Sequence, residues 1–379
     1  MEDRAVITSG SDTAAESTAS LVPLRDFVTV IVTTSAIPSN PSTKILEEVL
    51  HSFSFVPELN SCNIILTCDG YMPKAAGGET KFKSMRISDQ DAQNYIEYQG
   101  RACDVFRRHV GYTDTDTITS SSSSSTIRLN KRKCISATVN LESVAGKPTF
   151  TTITVSTRLG FALAVREAVK LVNTPYILIH QHDWTFLHPL NLRSLCQHMD
   201  AHPTELQYIG FSTRKSLRRA VRPSLPPAIP RPFGDLHLTP LYFWYDKPHL
   251  ARTEHYRTFV YGRGRFKVGD FIEDTLGHHM LKDLKTNGAE AHVAYGTWAY
   301  VRPDDATKPT LRHRSGRHFK ETIFMRTSKK KHKLHGAAMA IEGGMGALST
   351  NDISDRPTSA ASADDGDGSS SSDESDSDE

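Results

Sequence analysis

The sequence predicts an α/β fold with a mostly parallel sheet and helices on both faces. Short runs of apolar, β-branched residues alternate along the chain with segments whose apolar residues recur at helical spacing. The order of strand, helix and strand over residues 27–70 requires a parallel and right-handed connection. A buried strand at 176–179 then stops on a polar cluster, and the carboxyl ends of such strands are where open α/β sheets bind ligands.

Length and composition agree with one large domain. For the 379 residues we predict a disordered segment at 1–24, an α/β domain at 25–325 and a disordered tail at 326–379. The sequence has no apolar run of about 18 residues, so no transmembrane segment is predicted. The N-terminus lacks the basic and then apolar order of a signal peptide, so we expect a cytoplasmic location.

Charge is unevenly distributed along the chain. Residues 364–379 carry eight acids and no base, and without them the net charge of +2 becomes +10. A basic body suits an anionic ligand. The basic stretches 213–232 and 329–333 would also suit a nucleic acid, but neither a stacked-aromatic recognition motif nor a zinc pattern accompanies them. Nucleic acid is therefore not the favoured partner.

The first half of the chain contains three predicted strands and two predicted helices. The strands are rich in β-branched residues, and the helices have apolar residues three and four positions apart. The serine run Ser120 to Ser125 belongs to a low-complexity stretch, which we expect to be a solvated insertion at 113–126. The predicted strands are 27–34, 62–70 and 150–155, and the predicted helices are 43–53 and 89–109.

The second half continues the alternation of helices and strands. A helix that begins after a glycine leads into the buried strand at 176–179, with a proline turn between them. The predicted helices are 158–172, 190–202 and one that begins near 273, and the further predicted strands are 208–211, 238–245 and 291–301.

Polar residues close the first two predicted strands. Thr33, Thr34 and Ser35 end the first strand, and Asp69 ends the second. Because parallel strands end at one edge of the sheet, these residues are candidates for one site. The pair Asp69-Gly70 is also a common turn dipeptide, so an ordinary turn is the alternative interpretation.

The stretch from Arg158 to Phe186 resembles the centre of the family 2-like glycosyltransferases with a GT-A fold. In that family a glycine-led, alanine-rich helix feeds a strand that ends in Asp-x-Asp, and here the strand ends in Gln181-His182-Asp183. The resemblance implies a nucleotide-diphosphate sugar as donor and a divalent metal, Mn²⁺ or Mg²⁺, held by Asp183. Gln181, His182 and a later histidine would complete the metal shell. Gln181 replaces the family's first acid, which leaves metal dependence open.

The resemblance also implies which residues hold the donor. Asp69 would contact the base or ribose, and the turn of Thr33, Thr34 and Ser35 would line the same pocket. Arg158 and Gly160 lie at the start of the glycine-led helix, beside that pocket. A late histidine contacts the metal or the diphosphate in many members of the fold, and His313 takes that place here. Arg312, Arg314 and Arg317 would hold phosphates, although a basic, solvated segment is an equal alternative.

An acidic pair marks the candidate catalytic residues. Glu273 and Asp274 open a predicted helix, where the helix dipole alone would favour acids. The resemblance implies that Asp274 is the base and that Glu273 orients the acceptor. The implied activity is transfer of a hexose, with inversion, to a hydroxyl of a glycan, protein or small molecule. The alternative is a catalytically inactive GT-A-like protein that binds a glycan, a nucleotide or a protein partner.

Overall fold

The computed structural model describes residues 22–129, 133–214, 216, 227–263 and 265–316. The predicted disordered tail at 326–379, the basic cluster at 329–333 and nearly all of the N-terminal segment lie outside the described residues. Much of the basic stretch 213–232 does so as well. Within the described part of the chain, no helix is both long enough and apolar enough to span a membrane.

Strands and helices alternate as predicted. The strands are β1 Val28–Thr34, β2 Asn63–Cys68, β3 Met72–Pro73, β4 Arg86–Ile87, β5 Thr119–Arg128, β6 Cys134–Ser143, β7 Phe150–Val155, β8 Tyr176–Gln181, β9 Trp184–Phe186, β10 Tyr208–Phe211, β11 Arg231–Phe233, β12 Leu236–Pro240, β13 His249–Arg252, β14 Thr297–Tyr300 and β15 Leu311–His313. The longer helices of the described residues are α1 Lys44–Ser52, α2 Asp89–His109, α3 Phe161–Val169, α4 Leu192–Ala201 and α5 His278–Asn287. A shorter helical stretch, Thr253–His255, Tyr256–Val260 and Tyr261–Arg263, has π geometry in its middle part. A π-helical segment, Glu273–Gly277, runs directly into α5.

The central sheet has the order β11-β12-β14-β10-β13-β8-β1-β2-β7-β6-β5. Its centre is parallel, because β8, β1, β2 and β7 pair side by side in one direction. Strands on both sides of this centre pair antiparallel, so the sheet as a whole is mixed. The predicted α/β fold class is confirmed, with a mixed sheet. The two remaining small sheets pair β15 with β9 and β3 with β4.

Both faces of the sheet are covered by helices, as predicted. β1 is buried throughout, and Val30 and Val32 join one core cluster whereas Ile31 joins the other. Successive side chains of a strand point to opposite faces, so this division follows from the pleat. Helices α1, α2 and α4 supply the first cluster, and α3 and α5 supply the second. Each fully buried aliphatic side chain contributes about 1.5–3 kcal/mol.

Three local predictions need correction. The serine run is exposed, as a solvated insertion should be, but it forms β5, because its backbone pairs with β6 along ten positions. The strand predicted at 238–245 ends at Pro240, and turns follow it. The strand predicted at 291–301 is confined to Thr297–Tyr300, after the 3₁₀ segment Ala289–Ala294. Tertiary pairing, which the local pattern does not contain, decided each case.

Candidate functional site

The predicted strand-end residues gather at one edge of the sheet. The parallel register pairs Thr33 with Gln181 and Thr34 with Cys68, so β1, β8 and β2 end together. Backbone bonds extend this alignment past the strands, because the His182 amide donates to the Thr33 carbonyl at 3.1 Å. The Asp69 amide likewise donates to the Thr34 carbonyl at 2.9 Å. Thr34 itself contacts the Tyr98 hydroxyl of α2 at 3.0 Å.

Asp69 organises the turn that begins α3. Its carboxylate accepts hydrogen bonds from the backbone amides of Gly70, Leu159 and Gly160 at 2.7–3.0 Å. Burial raises the pKa of Asp69 to about 6, although these amides and the nearby Arg158 favour the anion. These contacts give Asp69 a structural role in the turn, and its predicted contact with a nucleotide stays a prediction.

Arg158 and Gly160 join this turn to the loop that leads towards Glu273. Gly160 has a φ of 85°, and a Cβ there would lie 2.5 Å from the Cα of Gly269. The Gly269 amide donates to the Leu159 carbonyl at 2.8 Å, which fixes the loop against the start of α3. Arg158 donates to the Ser84 carbonyl at 3.1 Å. Only glycine combines this conformation with such a close backbone approach.

Asp183 and His313 meet although 130 positions separate them in the sequence. The antiparallel pairing of β9 with β15 places His313 opposite Trp184, next to Asp183. His313 Nε2 lies 3.1 Å from Asp183 Oδ2, and the Gly316 amide donates to the same oxygen at 3.4 Å. The Asp183 side chain is only 14% exposed, whereas that of His313 is 46% exposed.

The environment of Asp183 keeps its carboxyl ionised. Burial alone would raise the pKa of Asp183, but the hydrogen bond from His313 and the charges of His182 and His313 outweigh it. The Gly316 amide adds to their effect, and the pKa of this carboxyl is held well below its usual range. Asp183 is therefore a buried anion, which suits a cationic ligand.

Two buried polar atoms at this place have no hydrogen-bond partner in the described structure. They are Asp183 Oδ1 and His182 Nε2. His182 Nδ1 lies 3.3 Å from the Thr33 carbonyl, which can only accept a hydrogen bond. Among the described residues, no group of three or more His, Cys, Asp or Glu side chains is arranged to hold a metal ion. Asp183 nevertheless fits a cation that takes its other ligands from phosphate and water, as Mg²⁺ commonly does, and His313 would join it by releasing the Nε2 proton that bonds to Asp183.

Gln181 is directed to the other side of β8. Its amide Nε2 donates to the Asp246 carbonyl at 2.7 Å. Asp246 Oδ2 in turn accepts from the Glu273 amide at 3.1 Å, and the Asp246 amide donates to Glu273 Oε2 at 3.3 Å. The side-chain amide of Gln181 is thus bonded to Asp246, and its predicted part in a metal shell with Asp183 stays a prediction.

Asp246 is a residue of the site that the sequence reasoning missed. It is 4% exposed, and burial raises its pKa well above the ordinary value, with further increases from the charges of Glu273 and Asp274. Its Oδ1 has no hydrogen-bond partner in the described structure. The sequence did contain a signal for Asp246, because an acid that follows an apolar stretch is also the pattern that made Asp69 a candidate.

The remaining predicted residues differ in their placement. Asp274 is exposed and lies close enough to Asp246 to act on its pKa. Arg312 is exposed on β15 beside His313, and Ser35 is half-buried after β1. Arg314 pairs with Glu48 of α1 at 2.5 Å, and Arg317 lies outside the described residues.

His180 is a core histidine. It is fully buried between the rings of Phe53 and Phe186, and burial lowers its pKa to about 4. The imidazole is therefore neutral near pH 7, and it belongs to the packing beneath the site.

Comparisons with known proteins found only distant likenesses to solved structures. No protein-family model matches the sequence. No curated protein matches it either. The solved structures that match include Staphylococcus aureus TarS 1-349, with 13% identity and a TM-score of 0.31 over 61% of this chain and 48% of that one. The chain thus spans about half the length of TarS 1-349.

Two further matches are similarly distant. The mannosyltransferase PcManGT from Pyrobaculum calidifontis, in complex with GDP-Man and Mn²⁺, has 13% identity and a TM-score of 0.39 over 85% of this chain and 66% of that one. A CMP:2-keto-3-deoxy-manno-octonic acid synthetase complexed with CTP has 8% identity and a TM-score of 0.33 over 72% of this chain and 89% of that one. The glycosyltransferase matches have the GT-A fold that the sequence resembles. Since all these TM-scores are below 0.5, both fold and function have to be argued from the residues of this chain.

Proposed function

We propose that this protein transfers a sugar, with inversion, from a nucleotide-diphosphate sugar to an acceptor hydroxyl. One observation carries the proposal: the edge where β1, β2 and β8 end holds a buried anion, Asp183, and also the acidic segment that begins at Glu273. The two lie on opposite sides of β8. Displacement at a sugar carbon needs one set of groups for the leaving phosphate and another for the incoming hydroxyl.

The donor would bind on the Asp183 side. Asp183 and His313 would hold a divalent metal against the diphosphate, with phosphate oxygens and water as its other ligands. When bound, that metal would stabilise the negative charge on the leaving nucleoside diphosphate. Arg312, next to His313 on β15, would bind a phosphate of the donor, because a guanidinium is well suited to phosphate.

The acceptor would bind on the Asp274 side. The exposed carboxylate of Asp274 would take the proton of the acceptor hydroxyl as its oxygen bonds to the anomeric carbon. The bond from that carbon to the diphosphate oxygen breaks in the same step, and the nucleoside diphosphate leaves with the electron pair. A carboxylate within hydrogen-bond reach typically contributes about 10²- to 10⁴-fold to the rate of such a step.

A binding protein without catalytic activity is the second candidate. The orientation of Gln181 towards Asp246 favours it, because the position of the family's first acid does not face Asp183. In that case the same edge would bind a nucleotide, a glycan or a protein partner. A cytoplasmic location, predicted from the N-terminal sequence, likewise stays a prediction.

The test is a panel of nucleotide sugars with and without Mn²⁺. Binding would be measured by calorimetry, and turnover by release of nucleoside diphosphate with water or simple sugars as acceptor. We expect one donor to bind and react. Asp274→Asn should lower kcat by about 10²- to 10⁴-fold and leave donor affinity within about twofold, because the base acts only in the reacting complex.

The matched control is Asp114→Asn, an exposed acid in the turns that follow α2. This variant changes the charge by the same amount and should leave both kcat and donor affinity unaltered. If no donor binds under any metal condition, the transferase proposal is wrong. Binding without turnover in the wild type would favour the non-catalytic alternative.

A further inference from the structure

The acids at positions 246 and 273 hold each other in place. Asp246 lies in the loop between β12 and β13, and Glu273 begins the π-helical segment before α5. Each backbone amide donates to the other residue's carboxylate, with N to O distances of 3.1 and 3.3 Å. This reciprocal pattern is the one that fixes helix N-termini in capping boxes, here formed between two distant segments. The position of the Glu273–Asp274 segment therefore depends on Asp246.

Gln181 attaches this pair to the central strand. In β8, Gln181 lies on the same face as Ile179, which belongs to the core cluster shared with α3 and α5. Its Nε2 donates to the Asp246 carbonyl at 2.7 Å, although the two residues are 65 positions apart. The antiparallel register of β13, with His249 opposite Ile179, brings the preceding turn alongside Gln181.

The surroundings of residue 181 explain why this position has an amide side chain and not an acid. A carboxylate has no N–H to donate, so an acid at 181 would lose the bond to the Asp246 carbonyl. It would also add a negative charge beside Asp246, where Glu273 and Asp274 already act. A group buried without its hydrogen-bond partner destabilises the folded state, and like charges nearby add to the loss.

We propose that Gln181 and Asp246 are positioning residues for the Glu273–Asp274 segment, and that Gln181 is not a metal ligand. The substitution of the family's first acid is then an adaptation to the acidic cluster on this side of β8. The kinetic part of the inference rests on the proposed transferase function. The structural part, that Gln181 anchors the cluster, does not depend on it.

The first experiment compares Gln181→Glu with Gln90→Glu, an exposed glutamine in the first turn of α2. We expect Gln181→Glu to lower the unfolding temperature by about 3 °C or more, and the control by less than about 1 °C. Affinity for Mn²⁺ should stay within about twofold of the wild type in both variants. A rise of tenfold or more in Mn²⁺ affinity of Gln181→Glu, without loss of stability, would overturn the proposal.

A double variant tests the anchoring itself. In the Glu273→Gln background one negative charge is gone while an acceptor oxygen is kept, so Gln181→Glu should cost measurably less there than in the wild type. Equal losses in both backgrounds would contradict a shared cluster. If Gln181→Glu does not fold, Gln181→Met removes the N–H donor without adding charge. It should give a smaller drop in unfolding temperature, and no drop at all would contradict the anchoring role.

The kinetic experiment compares two substitutions of Asp246. Asn keeps an oxygen that can accept from the Glu273 amide, whereas Ala does not. We expect Asp246→Ala to lower kcat about tenfold with an unchanged donor KM, and Asp246→Asn to retain most of the wild-type kcat. Equal kcat losses in both variants would refute positioning by this bond. If the wild type turns over no donor, the proposed function fails, and the stability measurements still decide the anchoring.

Discussion

Asp183 and Asp246 lie at the same edge of the sheet, and their environments shift the pKa values of the two carboxyls in opposite directions. Each has an Oδ1 without a hydrogen-bond partner in the described structure. Burial opposes ionisation of both, but His313 and His182 lower the pKa of Asp183, whereas Glu273 and Asp274 raise the pKa of Asp246. Burial thus raises the pKa of both carboxyls, and only at Asp183 do a hydrogen bond and nearby histidine charges reverse its effect.

Strand β8 separates the two environments. Gln181 contacts Asp246 on one side, whereas Asp183 contacts His313 and His182 contacts the backbone carbonyl of Thr33. A cation and a phosphate suit the Asp183 side, and groups that share or move protons suit the Asp246 side. Under the proposed function, the Asp183 side would bind the donor and the Asp246 side the acceptor.

The largest expected effect is on metal-dependent binding of a nucleotide sugar, which should depend on Asp183 and not on Asp246. Asp183→Asn removes the buried anion, and we expect the affinity for Mn²⁺ with a nucleotide sugar to fall by about 10- to 100-fold. Asp246→Asn should leave that affinity within about twofold. Calorimetric titration with and without Mn²⁺ measures both. Similar losses of affinity in the two variants would contradict a cation site on the Asp183 side alone.

The second effect concerns stability and its dependence on pH. The pKa of Asp183 is lowered by folding, so its contribution is present above the unfolded pKa of about 3.9 and is lost as pH falls through the folded pKa. At pH 7 we expect Asp183→Asn to cost about 1–3 kcal/mol, and the cost to shrink towards pH 3. Urea unfolding between pH 3 and pH 8 measures it.

Asp246→Asn should behave in the opposite way. Its pKa is raised by folding, so the stability that the protonated carboxyl contributes is present at low pH and lost as pH rises through the folded pKa. The other ionisable groups that act electrostatically with Asp246 are Glu273, Asp274 and the buried phenols of Tyr208, Tyr256 and Tyr261. We expect the variant to be as stable as the wild type at pH 4 and relatively more stable at pH 8. A loss that grows with pH would mean that Asp246 is an anion.

The smallest expected effect comes from a methyl group beside Asp183. A Cβ at Gly316 would lie 3.1 Å from His182 Nε2 and 3.3 Å from Asp183 Oδ2, so these groups must shift by a few tenths of an ångström. We expect Gly316→Ala to weaken metal-dependent donor binding about two- to fivefold, because misplaced ligands bind less well. Gly262→Ala, where a Cβ would meet nothing within 4 Å, is the control. An unchanged affinity in Gly316→Ala would place the cation elsewhere.

Much of the fold could be predicted because its signals are local. The β-branched run of β1, the apolar run of β8 and the helical spacing in α2 each lie within about twenty residues. Ser88 caps α2 at the residue before its predicted start, with Asp91 completing the capping box. The serine strand β5 could not be predicted, because only its pairing with β6 makes it a strand.

The candidate site was predicted only in part, for the same reason. The sequence alone determined that acids and histidines follow the strands, since a strand end is readable from the residues around it. The tertiary structure decided which of them meet: His313 reaches Asp183 over 130 positions, and Gln181 reaches Asp246 over 65. Strand register and pleat direction decide such contacts, and neither is written in the local pattern of residues.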